Sequence, residues 1–283
     1  MEVEKYLSRI GFTGSAVQPS LELLRSVHTC HLLSVPFEDL TVHSGGEVRL
    51  DLQLIYDKIV NKRRGGFCYE NNALFFWLLT HLGFHVTMMS AQVRNNITEM
   101  YGPPFDHLIL LVTVEGRRWL CDVGFGPSGF SAPLSLDTEG LQEEGHRVYR
   151  IRTSQEMHFL EWQKEENRGK DGEWTEIYKF TLSPRCLEDF TEMCQYHQSS
   201  PSSIFFCKSF CTLLRPSGRL TYIGHRLITV TFPSEATGGK LESTTIELKD
   251  EEIPAVLAEK FGIVLSSPLI PKDAPITPPA VRY

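Results

Sequence analysis

The chain of 283 residues is short of several things that would classify it at once. It has no excess of base. Against 28 Lys+Arg stand 35 Asp+Glu, a formal net charge of -7, so there is no broad positive field to gather phosphates and nucleic acid is not an expected partner. No long apolar run is present either: the longest, 73–84, is about 12 residues broken by Thr80 and His81, against the roughly 20 a bilayer requires, so no membrane association is expected. C-x-x-C pairs are missing. The seven cysteines, at 30, 68, 121, 186, 194, 207 and 211, are an odd and scattered set that argues against a disulfide framework and a zinc ribbon and reads as reduced thiols. The opening MEVEKYLSRI holds acids before its first base and no apolar stretch, so no secretory or transit peptide is expected and the expected location is cytoplasmic. The sequon Asn96-Ile97-Thr98 then reads as chance. Gly238-Gly239 is followed by neither Lys-Ser nor Lys-Thr, so it is no phosphate loop.

What is present is an average globular composition, 41% hydrophobic and 22% charged, in a length that suits one large domain or two to three small ones. The texture changes twice. In residues 1–83, Ser20 caps a segment with Leu21, Leu24, Val27 and Leu32 at helical spacing, and Asp51 opens another with Leu54, Ile55 and Ile59 on one face. A third helix runs from about Cys68 to Leu82; its middle, Ala73 to Leu79, is apolar all round, the mark of a buried spine. These residues predict a helical bundle. From His85 the period shifts toward two, in HVTMMSAQV, HLILLVTV, RRWLCDVGF, HRVYRI, MHFLEW and EIYKFTL, so 84–192 reads as a β-barrel, with KEENRGKDGEW as a solvated loop. After a polar connection at QYHQSSPSS, residues 193–283 alternate strands (CTLLR, RLTYIGHRLITVTF, STTIELK) with a helix from about Asp250 to Phe261. They end in a tail carrying Pro268, Pro271, Pro275, Pro278 and Pro279, a mixed α/β region with an extended end.

The stretch Arg63-Arg64-Gly65-Gly66-Phe67-Cys68-Tyr69-Glu70-Asn71-Asn72 places a cysteine at a helix start, after a bend eased by two glycines. Orphan N–H groups, the helix dipole and two upstream arginines all favour thiolate, which is the nucleophilic form. A small buried packing thiol is the other reading of Cys68. In DHLILLVTV-EG-RRWLCDVGF, a two-residue turn at Glu115-Gly116 pairs Val114 with Arg117, sets Ile109 opposite Asp122, and makes His107 and Asp122 diagonal neighbours on one face. Both faces of this hairpin are otherwise apolar, and a buried Asp demands a partner. A purely structural His-Asp pair, or a turn of another length that flips the parity, remains open. Together Cys68, His107 and Asp122 have the order in which a histidine activates a thiol and a carboxylate fixes the imidazole tautomer. His28, Cys30, His31 and His43 fit no common zinc spacing and read as helix-surface residues; Cys207 and Cys211 read as packing thiols.

The runs RRGGFCYENN, HLILLV, CDVGFG and VPFEDL, with SPSSIFFCKSF from Ser200, resemble the arylamine N-acetyltransferase family over essentially the whole chain, and SPSSIFFCKSF resembles its eukaryotic members. The resemblance implies an α+β fold of three parts: an N-terminal helical bundle (1–83), a central β-barrel (84–192) and a C-terminal α/β lid (193–283), around a papain-like Cys-His-Asp thiol-enzyme core. It implies acetyl transfer from acetyl-CoA to Cys68 and then to the nitrogen of an arylamine, arylhydrazine or N-hydroxyarylamine, by a monomer. It implies an acceptor pocket at Phe37, Val93, Asp106 and Phe125, and CoA contacts near Pro103, Pro104, Phe206, Thr212 and Thr277. No metal is needed, because a base activates the nucleophile and the acyl group arrives as a thioester. Where familiar vertebrate members carry small flexible residues before the histidine, this chain has Gly102-Pro103-Pro104-Phe105-Asp106, and an acid there is expected to repel carboxylated arylamines. The loop at Lys164 to Trp174 is shorter than in those relatives, and the tail does not match the family's usual ending. By resemblance the tail is expected to run over the lid toward the active-site cleft. Two other classes use the same residues: a thiol hydrolase or protease, whose papain-type C-G-[SA]-C-[WY] run is absent, and a silent module binding CoA or an aromatic ligand, against which all three triad positions are filled.

Overall fold

The structure, a computed structural model, describes all residues except 16–17, 96–97, 127–128, 145, 164–173, 280 and 282–283, and leaves the side chain of residue 236 undescribed. The sequon's first two residues and most of the loop between Lys164 and Trp174 therefore lie outside the described residues. Helices α1 (Val3–Arg9), α2 (Leu21–Ser34), α3 (Leu40–His43), α4 (Leu52–Tyr56) and α5 (Cys68–His81) occupy the first eighty residues. The expected caps are in place: Ser20 Oγ accepts from Leu23 N, and Asp51 Oδ1 from Gln53 N and Leu54 N. α4 runs on into a π-helical turn, Asp57–Asn61. Only Phe76, Thr80 and His81 of α5 escape full burial, as its all-round apolar middle requires.

The next segment is antiparallel sheet: β2 (His85–Val93), β3 (His107–Val114), β4 (Arg117–Cys121), β5 (Leu134–Ser135), β6 (Gln142–Glu144), β7 (Arg147–Ser154), β8 (Met157–Gln163) and β9 (Trp174–Phe180); the two-residue β1 (Phe37–Glu38) precedes them, between α2 and α3. Strands pair in the order β5-β4-β3-β2-β9-β8-β7-β6, a nearly closed barrel. Across the remaining gap the Gln142 side chain holds Ser135 in both directions, its Oε1 accepting from Ser135 N at 2.6 Å and its Nε2 donating to Ser135 O at 2.9 Å. β3 is apolar on both faces because both are covered. Leu108, Leu110, Val112 and Val114 pack with α5 in the core of the helical part, whereas Ile109 joins Met89, Leu120, Tyr178 and Phe180 in a second cluster. The turn at Glu115-Gly116 has positive φ at both residues, and its register, Val114 with Arg117 through Leu110 with Cys121, is the one the turn length predicts.

The C-terminal region holds α6 (Thr191–Ser199), α7 (Ile204–Cys207), β10 (Phe210–Arg215), β11 (Gly218–Ile223), β12 (Arg226–Thr231), β13 (Glu242–Glu247) and α8 (Ile253–Phe261). Its sheet runs β1-β10-β11-β12-β13, so the N-terminal Phe37 and Glu38 add a strand to it by pairing with Thr212 and Cys211. α8 packs on this sheet through Ile253, Leu257 and Phe261. Three details differ from the sequence reading. The polar QYHQSS is mostly helix α6, whose His197 is buried; RLTYIGHRLITVTF is two strands around Gly224-His225; and α8 starts at Ile253, capped at its end by Gly262 in the left-handed conformation. The tail is knitted to the fold. Ile270 N, Ala274 N and Thr277 N donate to His43 O, Cys207 O and Pro201 O at 2.8–2.9 Å. Among the described residues no helix is long and apolar enough to cross a membrane.

Candidate active site

The bend before α5 is built for closeness. The positive φ lies at Arg63, whereas a Cβ on Gly65 would come within 1.9 Å of Pro36 O, and one on Gly66 within 2.6 Å of the Glu70 Cβ. Around this bend each residue of the motif is tied down. Buried Glu38 takes both arms of Arg64 at 2.9 Å and also accepts from Gly65 N and Leu40 N. Glu70 accepts from Phe67 N and from Lys58 on the π-helical turn, Asn71 donates to Gly66 O, and the Tyr69 hydroxyl donates to Phe105 O. Cys68 follows the N-cap residue Phe67 and is 2% exposed.

His107 and Asp122 meet as the hairpin register requires, with Nε2 to Oδ2 at 2.7 Å; both are buried. A hydrogen bond to the carboxylate requires the proton on Nε2, which leaves Nδ1 as the nitrogen with a free lone pair in the neutral ring. The other carboxylate oxygen, Oδ1, accepts from Gly124 N and from Asn72 Nδ2, each at 2.9 Å. Asn72, one turn beyond Cys68 on α5, also donates to Leu108 O at 2.7 Å and accepts from Val123 N at 2.9 Å, so the helix bearing the thiol holds both hairpin strands. Gly124 lies against that helix: a Cβ there would approach Cys68 Cα to 2.8 Å. Behind Asp122, His28 Nε2 accepts from the Asp122 backbone N–H while Nδ1 faces Ser131 O, and burial pushes this ring down to about 4, so it stays neutral. Phe125 and Tyr178 flank the His107 ring at 5.2 and 5.5 Å between centroids.

The surroundings of the thiol favour its neutral form. Burial first, and then the negative charges of Asp106 and Asp122, push it well above its ordinary value, outweighing a hydrogen bond from the Leu108 N–H. Of the arginines expected to help, Arg64 is spent on Glu38, and Arg63 is exposed, its carbonyl accepting from the Arg9 guanidinium. His28, His31 and His43 are buried, not on helix surfaces as their sequence suggested: His31 Nδ1 meets the Tyr6 hydroxyl and His43 Nε2 the Phe205 carbonyl. Among the described residues no group of three or more His, Cys, Asp or Glu could hold a metal ion.

A cavity of about 70 Å³ abuts the pair from the side of Asp122, Phe37 and Phe125. It extends past Gly126, Phe130 and Thr212 to His146, Arg147, Arg219 and Phe232, between the barrel and the C-terminal sheet.

The N-acetyltransferase family model matches residues 20–270. Arylamine N-acetyltransferase 1 of Homo sapiens is 36% identical over 284 residues, covering 96% of this chain and 97% of its own. The chain belongs to the arylamine N-acetyltransferase family. Among solved structures, arylamine N-acetyltransferase from Salmonella typhimurium has a TM-score of 0.81 at 27% identity, covering 92% of this chain and 90% of that one. The Mycobacterium marinum arylamine N-acetyltransferase in complex with CoA gives 0.79 at 28% identity, over 93% of each chain.

Of the further positions that the arylamine N-acetyltransferase resemblance implies, Phe37, Phe125 and Thr212 line the cavity. Val93, Asp106, Pro103, Pro104, Phe206 and Thr277 are not among its described lining residues. Asp106 is held from two sides, Oδ2 accepting from Val93 N at 3.2 Å and Oδ1 lying 3.4 Å from His197 Nε2, while its charge acts on the Cys68 thiol. Phe206 lies under the Lys272 ammonium, Thr277 N is bonded to Pro201 O, and Pro103 O accepts from Asp106 N. Sequence reasoning missed Asn72, His28 and Glu38. Asn72 had a signal, being four residues from Cys68 and hence on its helix face; His28 and Glu38 are placed by contacts that only the fold creates.

Proposed function

We propose that this chain transfers an acetyl group from acetyl-CoA to the nitrogen of an arylamine, arylhydrazine or N-hydroxyarylamine by a ping-pong route through acetyl-Cys68. His107 is its base and acid, and Asp122 its orienting group. The observation that carries this reading is the buried 2.7 Å His107–Asp122 contact, clamped through Asn72 to the very helix that starts at Cys68. Burial favours the neutral thiol, whose proton in this reading passes to His107 Nδ1 as the sulfur attacks the thioester carbonyl of acetyl-CoA. The CoA sulfur leaves and takes that proton. In the second half the acceptor nitrogen attacks the acetyl-Cys68 carbonyl, gives a proton to His107, and the Cys68 sulfur departs and recovers it. Phe37 and Phe125 offer the acceptor ring aromatic faces beside Asp122, and Thr212 stands within the same cavity for either substrate. The division into 1–83, 84–192 and 193–283, a monomeric state and a cytoplasmic location, without nucleic-acid or membrane partners, complete the proposal.

Weighing the protein after mixing with acetyl-CoA tests it. A stable acetyl adduct that maps to Cys68 and is discharged by an arylamine supports the reading. Rapid turnover to free CoA, beyond one equivalent, with no amine present, or no mass change, sinks it in favour of a hydrolase or a silent binder. Parallel double-reciprocal lines are expected for the two substrates, and intersecting lines would mean direct transfer.

A further inference from the structure

A histidine of the C-terminal region reaches the turn that leads into His107. Asp106 stands between His107 and Phe105, whose φ of 64° lies in the left-handed region that a bulky residue holds only under constraint. The constraint is visible: the Tyr69 hydroxyl from α5 donates to Phe105 O at 2.7 Å and to Asp106 O at 3.1 Å. The Phe190 ring meets that of Phe105 edge-on at 5.6 Å, and the Arg185 guanidinium lies 5.1 Å over it. The Asp106 carboxylate folds back beneath the turn, so near Gly102 that a Cβ there would stand 2.2 Å from Oδ2. Two donors face it, Val93 N at 3.2 Å from Oδ2 and His197 Nε2 at 3.4 Å from Oδ1, the latter also 3.3 Å from Asp106 O. On the far side of the ring, His197 Nδ1 meets Ser203 Oγ at 2.9 Å. Ser203, His197 and Asp106 have the outline of a triad, yet Ser203 Oγ is buried and accepts from Phe205 N at the start of α7, so it is no nucleophile. What the ring does reach is charge. After burial, Asp106 is the first influence on the Cys68 thiol, ahead of Asp122.

We propose that His197 is a positioning residue for the acetyl transfer: it holds Asp106 against α6 and takes up negative charge that would otherwise bear on Cys68. The part it plays in turnover rests on the reading of Cys68 as the nucleophile. Either protonation state of the ring fits its neighbours. A neutral ring donates Nε2–H to Asp106 and accepts from the Ser203 hydroxyl at Nδ1, whereas an imidazolium donates at both nitrogens, because Ser203 Oγ can also accept. The titratable groups facing the ring are Asp106, Tyr69 from α5 at 5.9 Å between centroids and Tyr196 from its own helix at 5.6 Å; Phe205 from α7 packs on it at 4.9 Å. Those that bear on Cys68 are Asp106, Asp122, Cys194 and Tyr69. Asp106 alone belongs to both sets as a carboxylate, so His197 acts on the thiol through it.

The test follows alkylation of Cys68 by iodoacetamide against pH, read at that position by peptide mass because the chain has seven cysteines. Reagent access sets the plateau rate and local charge sets the midpoint, so a merely structural role leaves the midpoint in place. His197→Leu is expected to move the midpoint about half a pH unit to one unit higher, slowing alkylation about three- to tenfold at a fixed pH below it. His197→Gln keeps an amide donor without a charge and is expected to fall between that variant and the parent. Asp106→Asn should move the midpoint about one pH unit lower, and in its background neither change at His197 should add anything. The acid limb of kcat/KM for acetyl-CoA should follow the same order, at unchanged acceptor KM. The proposal falls if His197→Leu leaves the midpoint where it was, or if its shift persists in the Asp106→Asn background; should the leucine variant fail to fold, the same two criteria apply to His197→Gln. Alkylation needs no acetyl donor, so a protein that shows these shifts and transfers no acetyl group would count against the acetyl-transfer reading alone.

Discussion

The two ends of the site are made in opposite ways. Around Cys68, His107 and Asp122 polar groups are buried and closely partnered: Asn72 uses its amide on three backbone or carboxylate atoms, and Asp122 receives three hydrogen bonds. At the Arg147–Arg219 end, burial and the neighbouring Arg147 charge lower Arg219, and burial with both arginines lowers His146. The difference teaches a division of labour. Saturated hydrogen bonding fixes a geometry, because any partner lost in a dry interior is costly; like charges gather where the side chains stay partly exposed and solvent screens them.

The largest effect should come from the reacting atom itself. Cys68→Ser is expected to abolish both turnover and the acetyl adduct, and an adduct surviving on another cysteine would break the assignment. Next comes Asp122→Asn, which keeps the shape, removes the charge and cannot hold the same imidazole tautomer. A fall in kcat of on the order of 10³-fold is expected, with a loss of about 1.5 to 3 kcal/mol of stability by denaturant titration. An active, equally stable variant would show that Asp122 does not orient His107. Asn72→Ala sharpens the comparison, since it acts on the site only through Asp122 and the hairpin backbone. It should lower kcat about 10- to 100-fold at little change in KM, and destabilise by about 2 kcal/mol, because Leu108 O, Asp122 Oδ1 and Val123 N each lose a buried partner. A change confined to stability would reduce Asn72 to a packing residue.

The last effect leaves turnover aside and concerns stability against pH. His28 titrates near 6.5 when unfolded and near 4 in the fold, so the unfolded chain takes up the proton first as pH falls. The stability it contributes is complete above about pH 6.5 and is lost progressively toward pH 4, by up to about 3 kcal/mol. Denaturant midpoints across that range should fall less steeply in His28→Gln; equal slopes would contradict the neutral role behind Asp122.

Much of the reacting end was legible because its determinants are local. The Cys68 helix start follows from the glycine bend and the apolar spine of α5, and the His107–Asp122 meeting follows from counting outward from Glu115-Gly116. What local pattern could not supply was desolvation. Spacing placed Cys68 over a helix N-terminus but said nothing of the burial and the two carboxylates that favour its neutral form. Burial likewise reversed the surface reading of His28, His31 and His43, and a polar helix such as α6 looks solvated until His197 is seen against Ser203 and Asp106. Strands of two or three residues, β1, β5 and β6, carry too little period to announce themselves and exist through their partners. The arginine end was invisible for the same reason, since only the packing of one sheet beside the other brings Arg147 to Arg219.

The Gln142 side chain has a consequence for the protein's behaviour among its own copies. An antiparallel sheet that stops short of closing offers two rows of open peptide groups, a template on which another chain can add a strand and begin an aggregate. Here the edges are only two and three residues long, and a primary amide, with the same donor and acceptor as a peptide unit, already occupies both groups of Ser135. One side chain thus supplies the rung that a ninth strand would have provided. Gln142→Ala should therefore be more prone to assemble at high concentration, while a single molecule in dilute solution works as before.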